Sequence, residues 1–202
     1  MAKSTLVIGG SRSGKSDYAQ ALAEADLKIR YYLATCPPPH APQKGTKQNY
    51  RPAPAGIELS HQTIDPEMSA RILAHQQRRQ GGLWQTIEEP LALAIRLKTL
   101  PSEATVLIDC LTLWISNLLD ADSSGTLDDA KITALGQEVL AAAQTRTGKM
   151  IIVSSEVGCG GISEHALARR YRDLVGRCNQ VIAAGADQVV QVVCGIPVII
   201  KG

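Results

Sequence analysis

The fold is decided by one stretch near the start of the chain, Gly9-Gly10-Ser11-Arg12-Ser13-Gly14-Lys15-Ser16. It follows the apolar run Leu6–Ile8 and precedes a predicted helix, Asp17–Ala23. This is the pattern G-x-x-x-x-G-K-[ST], in which loop N–H groups and the N-terminus of the following helix hold phosphate oxygens. Lys15 then reaches the β- and γ-phosphates, and the Ser16 hydroxyl binds the accompanying Mg²⁺. A chance glycine-rich turn is the alternative, but the strand–loop–helix context favours a nucleotide-binding protein.

Length and composition are those of an ordinary globular protein. With 202 residues, of which 45% are hydrophobic and 20% charged, the chain is expected to form a single domain over 1–202. The net charge of +2 provides no basic field, so no nucleic-acid partner is expected. No apolar stretch approaches the roughly 20 residues that cross a bilayer, so no membrane segment is expected.

The five cysteines are scattered and include no C-x-x-C pair. This pattern argues against a disulfide framework and against a zinc site. Residues 1–4 lead directly into the first predicted strand and leave no room for a signal peptide. Both observations predict a protein of the reducing cytoplasm.

Strand and helix patterns alternate along the chain. Further strands are predicted at 29–34, 84–87, 105–109, 149–154, 188–193 and 197–200. Further helices are predicted at 65–80, 89–98, 111–119, 127–145 and 164–186. This alternation predicts an α/β fold with a mostly parallel sheet and helices on both faces.

A proline-rich stretch at about 37–63 interrupts the alternation. Its composition predicts either a functional lid or an insertion without regular structure. The helix predicted after it carries His75, which borders an apolar stripe and also three arginines, Arg71, Arg78 and Arg79. Spacing alone leaves open whether this histidine is catalytic or simply a solvated side chain.

Two strand ends indicate further site residues. The apolar run Thr105–Asp109 ends in an aspartate. Phosphate-loop proteins have a second motif of this kind, an apolar strand followed by an acid whose carboxylate lies near Mg²⁺. A helix-capping aspartate is the alternative. The glycine-rich loop Ser155–Gly161 follows the strand at 149–154 and either lines the site or is a flexible connector.

Several stretches besides the phosphate loop carry a family pattern. They are Tyr32-Leu33-Ala34-Thr35, Glu67–Ile72 with His75, Trp84–Glu88, Leu107–Thr112 with Asn117–Leu119, Glu156-Val157-Gly158, and Arg169–Asp173 with Gly176-Arg177 and Asn179-Gln180. Together they resemble the bifunctional adenosylcobinamide kinase/adenosylcobinamide-phosphate guanylyltransferases of cobalamin biosynthesis. The resemblance covers nearly the whole chain except the proline-rich stretch, where the family has a short link.

The resemblance implies two reactions on one corrinoid substrate. The first transfers a γ-phosphoryl group from ATP or GTP to the aminopropanol hydroxyl of adenosylcobinamide. The second places GMP from GTP on the new phosphate through a covalent GMP–histidine intermediate, and the matching histidine is His75. A RecA-like P-loop domain and a homotrimer are also implied.

The resemblance assigns the remaining site residues position by position. Residues 9–16 bind GTP, with Lys15 in a catalytic role, and Asp109 takes the acidic position that holds the metal together with Ser16. Asp109 is also a candidate catalytic base. The other positions that line the nucleotide site are Thr35, Cys36, Arg79 and Glu88.

The chemistry of His75 fits the implied role. Neutral imidazole is a competent nucleophile towards an α-phosphorus, and it divides one difficult displacement into two easier ones. Neighbouring arginines disfavour the imidazolium form and therefore keep this nucleophile neutral near pH 7. Two other readings stay open: a small-molecule kinase in which His75 is idle, and a non-catalytic nucleotide-binding switch.

Overall fold

The computed structural model describes residues 4–26, 28–36 and 83–202, together with the single residues Leu73, Gln77 and Arg79. The proline-rich stretch 37–63, His75 and most of the helix predicted at 65–80 lie outside the described residues. The five cysteines and the whole phosphate loop lie within them.

The described strands and helices follow the predicted alternation. The strands are β1 (Ser4–Ile8), β2 (Arg30–Ala34), β3 (Trp84–Glu88), β4 (Thr105–Asp109), β5 (Met150–Val153), β6 (Gln188–Val193) and β7 (Ile196–Lys201). The helices are α1 (Lys15–Glu24), α2 (Leu93–Lys98), α3 (Leu111–Ala121), α4 (Asp129–Gln144) and α5 (Ala166–Gly185), with a 3₁₀ turn at Val157–Cys159.

Helix α2 begins four residues later than predicted, at Leu93 instead of Glu89. The carboxylate of Glu89 accepts hydrogen bonds from the backbone N–H groups of Leu91 and Ala92, at 3.3 and 2.8 Å. These two N–H groups are therefore satisfied by a side chain in a turn that precedes the helix. Glu89, which was expected to be the first residue of the helix, instead stabilises the turn that precedes it.

The described strands form one sheet in the order β3-β2-β4-β5-β1-β6-β7. Every neighbouring pair is parallel except β6 and β7, which form an antiparallel hairpin. Strand β5 therefore lies between β1, which leads into the phosphate loop, and β4, which ends at Asp109. Because parallel strands end at the same edge of a sheet, the loops after β1, β4 and β5 are brought together there.

Both faces of the sheet are covered by helices, as predicted. On one face, Leu6 and Ile108 pack in a buried cluster with residues of α2, α3, α4 and α5. On the other, Val7 and Leu107 pack with Ala19 and Ala23 of α1. Adjacent residues of a strand point to opposite faces of the sheet. Because helices cover both faces, a strand that is apolar throughout buries side chains on both of them. No described helix combines the length and the apolar character needed to cross a membrane.

Candidate active site

The phosphate loop connects the end of β1 to the start of α1. Gly14 is the N-cap of α1 and has a φ of 89°, in the left-handed region that glycine tolerates best. A Cβ on Gly9 would lie 2.6 Å from the carbonyl oxygen of Val192, so only glycine fits there. The two outer glycines of the pattern are therefore required by backbone geometry and by close packing.

The N-terminus of α1 is available to an anion. No side chain caps it, so the positive end of the helix dipole and its first N–H groups are not used by a capping residue. The ammonium group of Lys15 donates to the carbonyl oxygen of Gly10 at 3.0 Å, which keeps it folded over the loop. This combination of a helix end and a nearby cation is the arrangement that binds nucleotide phosphates.

Two carboxylates stand at the carboxyl edge of the sheet, the edge at which the phosphate loop also lies. In the strand register, Ala34 at the end of β2 pairs with Glu88 on one side and with Asp109 on the other. Both acids are partly exposed, and burial raises the pKa of Glu88 above its ordinary value. The structure therefore brings together two acids from separate strands, and both were predicted to belong to the site.

Thr35 and Cys36 follow β2 between these acids. Thr35 is fully buried, and its hydroxyl accepts from the backbone N–H of Cys110 and donates to its carbonyl oxygen, both at 2.9 Å. The Thr35 side chain thus joins the ends of β2 and β4. Cys36 is partly exposed, and burial raises the pKa of its thiol to about 11, so the thiol is neutral at physiological pH.

Arg79 lies against Tyr32 at the same edge. Its guanidinium carbon is 3.5 Å from the centroid of the Tyr32 ring, and the residue is only 8% exposed. The Tyr32 hydroxyl donates to a carboxylate oxygen of Asp109 at 3.1 Å. Arg79, predicted to line the nucleotide site, therefore contacts a residue that bonds directly to Asp109.

The glycine-rich loop after β5 contacts the phosphate loop through Glu156, a residue that sequence reasoning did not single out for the site. Its backbone N–H donates to the carbonyl oxygen of Gly9 at 3.3 Å, and its carboxylate accepts from the Gln191 amide at 2.7 Å. Asn179 on α5 fixes the same loop through hydrogen bonds to Ser154 and Ser155, at 2.6 and 3.1 Å. The glycine-rich loop after β5, which the sequence left as either part of the site or a flexible connector, is thus attached to the phosphate loop.

The donor set fits a magnesium ion that is held largely by a nucleotide. Among residues 4–26, 28–36 and 83–202, no cluster of three or more metal-ligating side chains is present. Mg²⁺ commonly takes one or two protein ligands and completes its shell with phosphate oxygens and water. Asp109 offers a carboxylate at the edge of the sheet, and Ser16 offers a partly exposed hydroxyl in the first turn of α1.

A family model for cobinamide kinase/cobinamide phosphate guanyltransferase matches residues 5–44 and 59–200. The chain belongs to this family. The gap in the match, residues 45–58, falls inside the proline-rich stretch where the family was expected to have a shorter link.

Curated relatives cover almost the whole chain. The bifunctional adenosylcobalamin biosynthesis protein CobP of Pseudomonas aeruginosa is 38% identical over 205 residues, which cover 98% of this chain and 96% of that protein. The protein CobU of Escherichia coli, which has the same description, is 36% identical over 207 residues, which cover 97% and 98%. The corresponding protein of Salmonella typhimurium has the same identity and coverage.

A solved structure of an ATPase domain is also similar in fold. It is 11% identical, with a TM-score of 0.48, and the match covers 94% of this chain and 68% of that one.

Proposed function

We propose that this protein phosphorylates adenosylcobinamide on its aminopropanol hydroxyl and then transfers GMP from GTP to the product, giving adenosylcobinamide-GDP. The observation that carries the proposal is the uncapped start of α1, with Lys15 folded over the loop, at the same edge of the sheet as the carboxylates at the ends of β3 and β4. Membership of the kinase/guanyltransferase family supports the same pair of reactions for this chain.

The kinase step uses the phosphate loop. Lys15 and the N–H groups of residues 9–16 bind the triphosphate of ATP or GTP and stabilise the charge on the transferred group. Ser16 and Asp109 would hold Mg²⁺, which supplies charge neutralisation on the phosphates when bound. The hydroxyl oxygen of adenosylcobinamide forms the new bond to the γ-phosphorus, the nucleoside diphosphate leaves, and Asp109 is the candidate acceptor of the hydroxyl proton.

The transferase step uses His75. An imidazole nitrogen attacks the α-phosphorus of GTP, so that an N–P bond forms while pyrophosphate leaves. A phosphate oxygen of adenosylcobinamide phosphate then attacks the same phosphorus, and the N–P bond breaks to return neutral histidine. Arg79 donates to the triphosphate, and Glu88 and Cys36 complete the wall of the nucleotide site. Thr35, which is fully buried, supports this wall by joining the ends of β2 and β4.

Incubation with α-labelled GTP and Mg²⁺ tests the transferase role. The wild-type protein should acquire an acid-labile label, and His75→Asn should acquire none. His165→Asn is the matched control, because His165 is an exposed histidine at the start of α5 and should not affect labelling. Labelling that survives His75→Asn contradicts the histidine assignment, and an unlabelled wild type that still phosphorylates adenosylcobinamide indicates a kinase alone.

A homo-oligomer, with a trimer implied by the family, is part of the proposal. Strand β7 ends the sheet, and its side chains Ile196, Val198, Ile199 and Ile200 are all exposed. An apolar edge strand is a surface that natural proteins usually cover. Light scattering should show that Ile199→Lys lowers the molecular mass, whereas Ile95→Lys, at an exposed position of α2, should leave it unchanged.

The cytoplasm is the proposed compartment. All five cysteines lie among the described residues and all are free thiols. Unpaired cysteines, two of them exposed, are typical of proteins kept under reducing conditions. Fractionation of the native host, with blotting for the protein, checks the assignment.

A further inference from the structure

Arg79 is a buried cation with hydrogen-bond donors that are not used. Two of its guanidinium nitrogens, Nε and Nη1, are buried and have no hydrogen-bond partner among the described residues. Burial lowers the pKa of Arg79, although the negative charge of Asp109 opposes the shift. Buried donors without partners cost free energy, so a ligand that supplies acceptor oxygens to them is favoured.

Tyr32 is the platform on which this guanidinium rests. The residue is 7% exposed, and its ring is fixed on two sides. Its hydroxyl donates to Asp109 at 3.1 Å, and the indole of Trp84 meets it edge-on, with the ring centroids 6.3 Å apart. Trp84 is held in turn by a 3.0 Å hydrogen bond from its indole nitrogen to Glu24 of α1.

We propose that Tyr32 is a positioning residue for the nucleotide. Its ring holds the Arg79 guanidinium at the carboxyl edge of the sheet, next to Asp109, so that Nε and Nη1 can donate to phosphate oxygens. This inference rests on the proposed GTP site and adds to it a residue that acts through Arg79.

The physical basis is the way a guanidinium combines two kinds of contact. Its face packs on an aromatic ring, while its N–H bonds lie in its own plane and stay free to donate. A side chain held in one orientation before binding loses less entropy when the ligand arrives. Lysine carries the same charge but has neither the flat face nor the fork of donors, so it cannot replace arginine here.

Calorimetric titration of the full-length protein with α,β-methylene GTP measures this effect without turnover, because the analogue cannot release pyrophosphate. Tyr32→Leu should weaken binding about tenfold, since a desolvated cation–ring contact is strong. Tyr32→Phe keeps the ring and should stay within about threefold of the wild type, because most of the platform remains. Equal losses in Tyr32→Leu and Tyr32→Phe would overturn the proposal.

A double-mutant cycle separates positioning from a general loss of structure. In an Arg79→Ala background, Tyr32→Leu should weaken binding by no more than about twofold further, because the residue through which Tyr32 acts is absent. An undiminished tenfold loss in that background would show that Tyr32 acts in another way.

Arg79→Lys provides a test that leaves the Tyr32 ring in place, should Tyr32→Leu fail to fold. It should bind the analogue as weakly as Arg79→Ala, and wild-type affinity in Arg79→Lys would overturn the proposal.

These outcomes of the binding experiments are independent of the covalent chemistry. If Tyr32 and Arg79 are coupled in the double-mutant cycle but no GMP–histidine forms, the positioning role of Tyr32 stands and the transferase activity is contradicted. If the GMP–histidine forms but the two residues are not coupled, only the positioning role of Tyr32 is contradicted.

Discussion

The backbone N–H of Gly195 donates to the carbonyl oxygen of Ser13 at 2.8 Å, which attaches the β6–β7 turn to the phosphate loop. The turn has two residues, Cys194 and Gly195, with φ of 52° and 81°. Positive φ at both positions is the signature of a type I′ hairpin. A Cβ on Gly14 would lie only 3.2 Å from the Cα of Gly195, so the turn also packs tightly against the loop.

Gly195→Pro should weaken nucleotide binding. Proline removes the N–H that bonds to Ser13 and cannot adopt the φ of 81°, so the turn must move away from the phosphate loop. We expect the affinity for GTP to fall by about fivefold, which corresponds to one hydrogen bond of about 1 kcal/mol. Cys194→Gly is the matched control: it keeps the N–H of Gly195, relieves the positive φ of Cys194, and should bind GTP normally. Unchanged affinity in Gly195→Pro would show that the turn does not support the loop.

Asn117 is predicted to be a major determinant of stability at the site. It is 6% exposed, and its amide nitrogen donates to the carbonyl oxygens of Thr35 and Pro90, at 2.7 and 3.1 Å. Asn117→Asp removes both donors and places a carboxylate against two carbonyl oxygens. The free energy of unfolding should fall by about 2–4 kcal/mol, because buried acceptors lose their partners.

Urea titration measures the loss in Asn117→Asp. The control is Gln85→Ala on the exposed side of β3, which should change the free energy of unfolding by less than about 0.5 kcal/mol. If Asn117→Asp is as stable as Gln85→Ala, the two carbonyl groups are satisfied in another way.

The sequence predicts those parts of the fold that depend on short-range patterns. The glycine spacing around Lys15 predicts the phosphate loop, and the run that ends at Asp109 predicts both a strand and a carboxylate at its end. The sheet order is not predictable in this way, because a parallel pairing joins residues that are far apart. For the same reason, spacing does not reveal that Tyr32 bonds to Asp109, 77 positions away, or that Asn117 holds Thr35, 82 positions away.

Two helical glycines should respond in opposite ways to alanine. Gly176 lies within α5, and a Cβ there would meet no other atom within 4 Å. Gly136 lies within α4, and a Cβ there would lie 3.0 Å from a methyl carbon of Val181 on α5. Gly176→Ala should raise the free energy of unfolding by about 0.5–1 kcal/mol, because alanine is the better helix former. Gly136→Ala gains the same propensity but overpacks the contact with the Val181 methyl group, so it should be destabilising by about 1–3 kcal/mol.

Thermal unfolding of the two single variants measures this difference directly. Gly176→Ala should unfold at a higher temperature than the wild type, and Gly136→Ala at a lower one. Two variants that shift in the same direction would show that helix propensity outweighs the close packing of α4 on α5.

The free thiols should differ sharply in their reaction with iodoacetamide near pH 8. Burial raises the pKa of Cys178 to about 12 and that of Cys36 to about 11, so both are almost entirely protonated under these conditions. Because the thiolate is the reactive form, the exposed Cys159 and Cys194 should be alkylated first. Cys178, which is also inaccessible, should react only after unfolding.

Raising the pH should distinguish Cys36 from Cys178. The alkylation rate of Cys36 should rise about tenfold for each pH unit up to its pKa of about 11, because the thiolate fraction rises by that factor. Saturating GTP should slow this reaction, since Cys36 is assigned to the wall of the nucleotide site. Peptide mass spectrometry gives the rate at each cysteine, and full modification in urea confirms that all five are free. If GTP does not change the rate at which Cys36 reacts, the assignment of Cys36 to the nucleotide site is wrong.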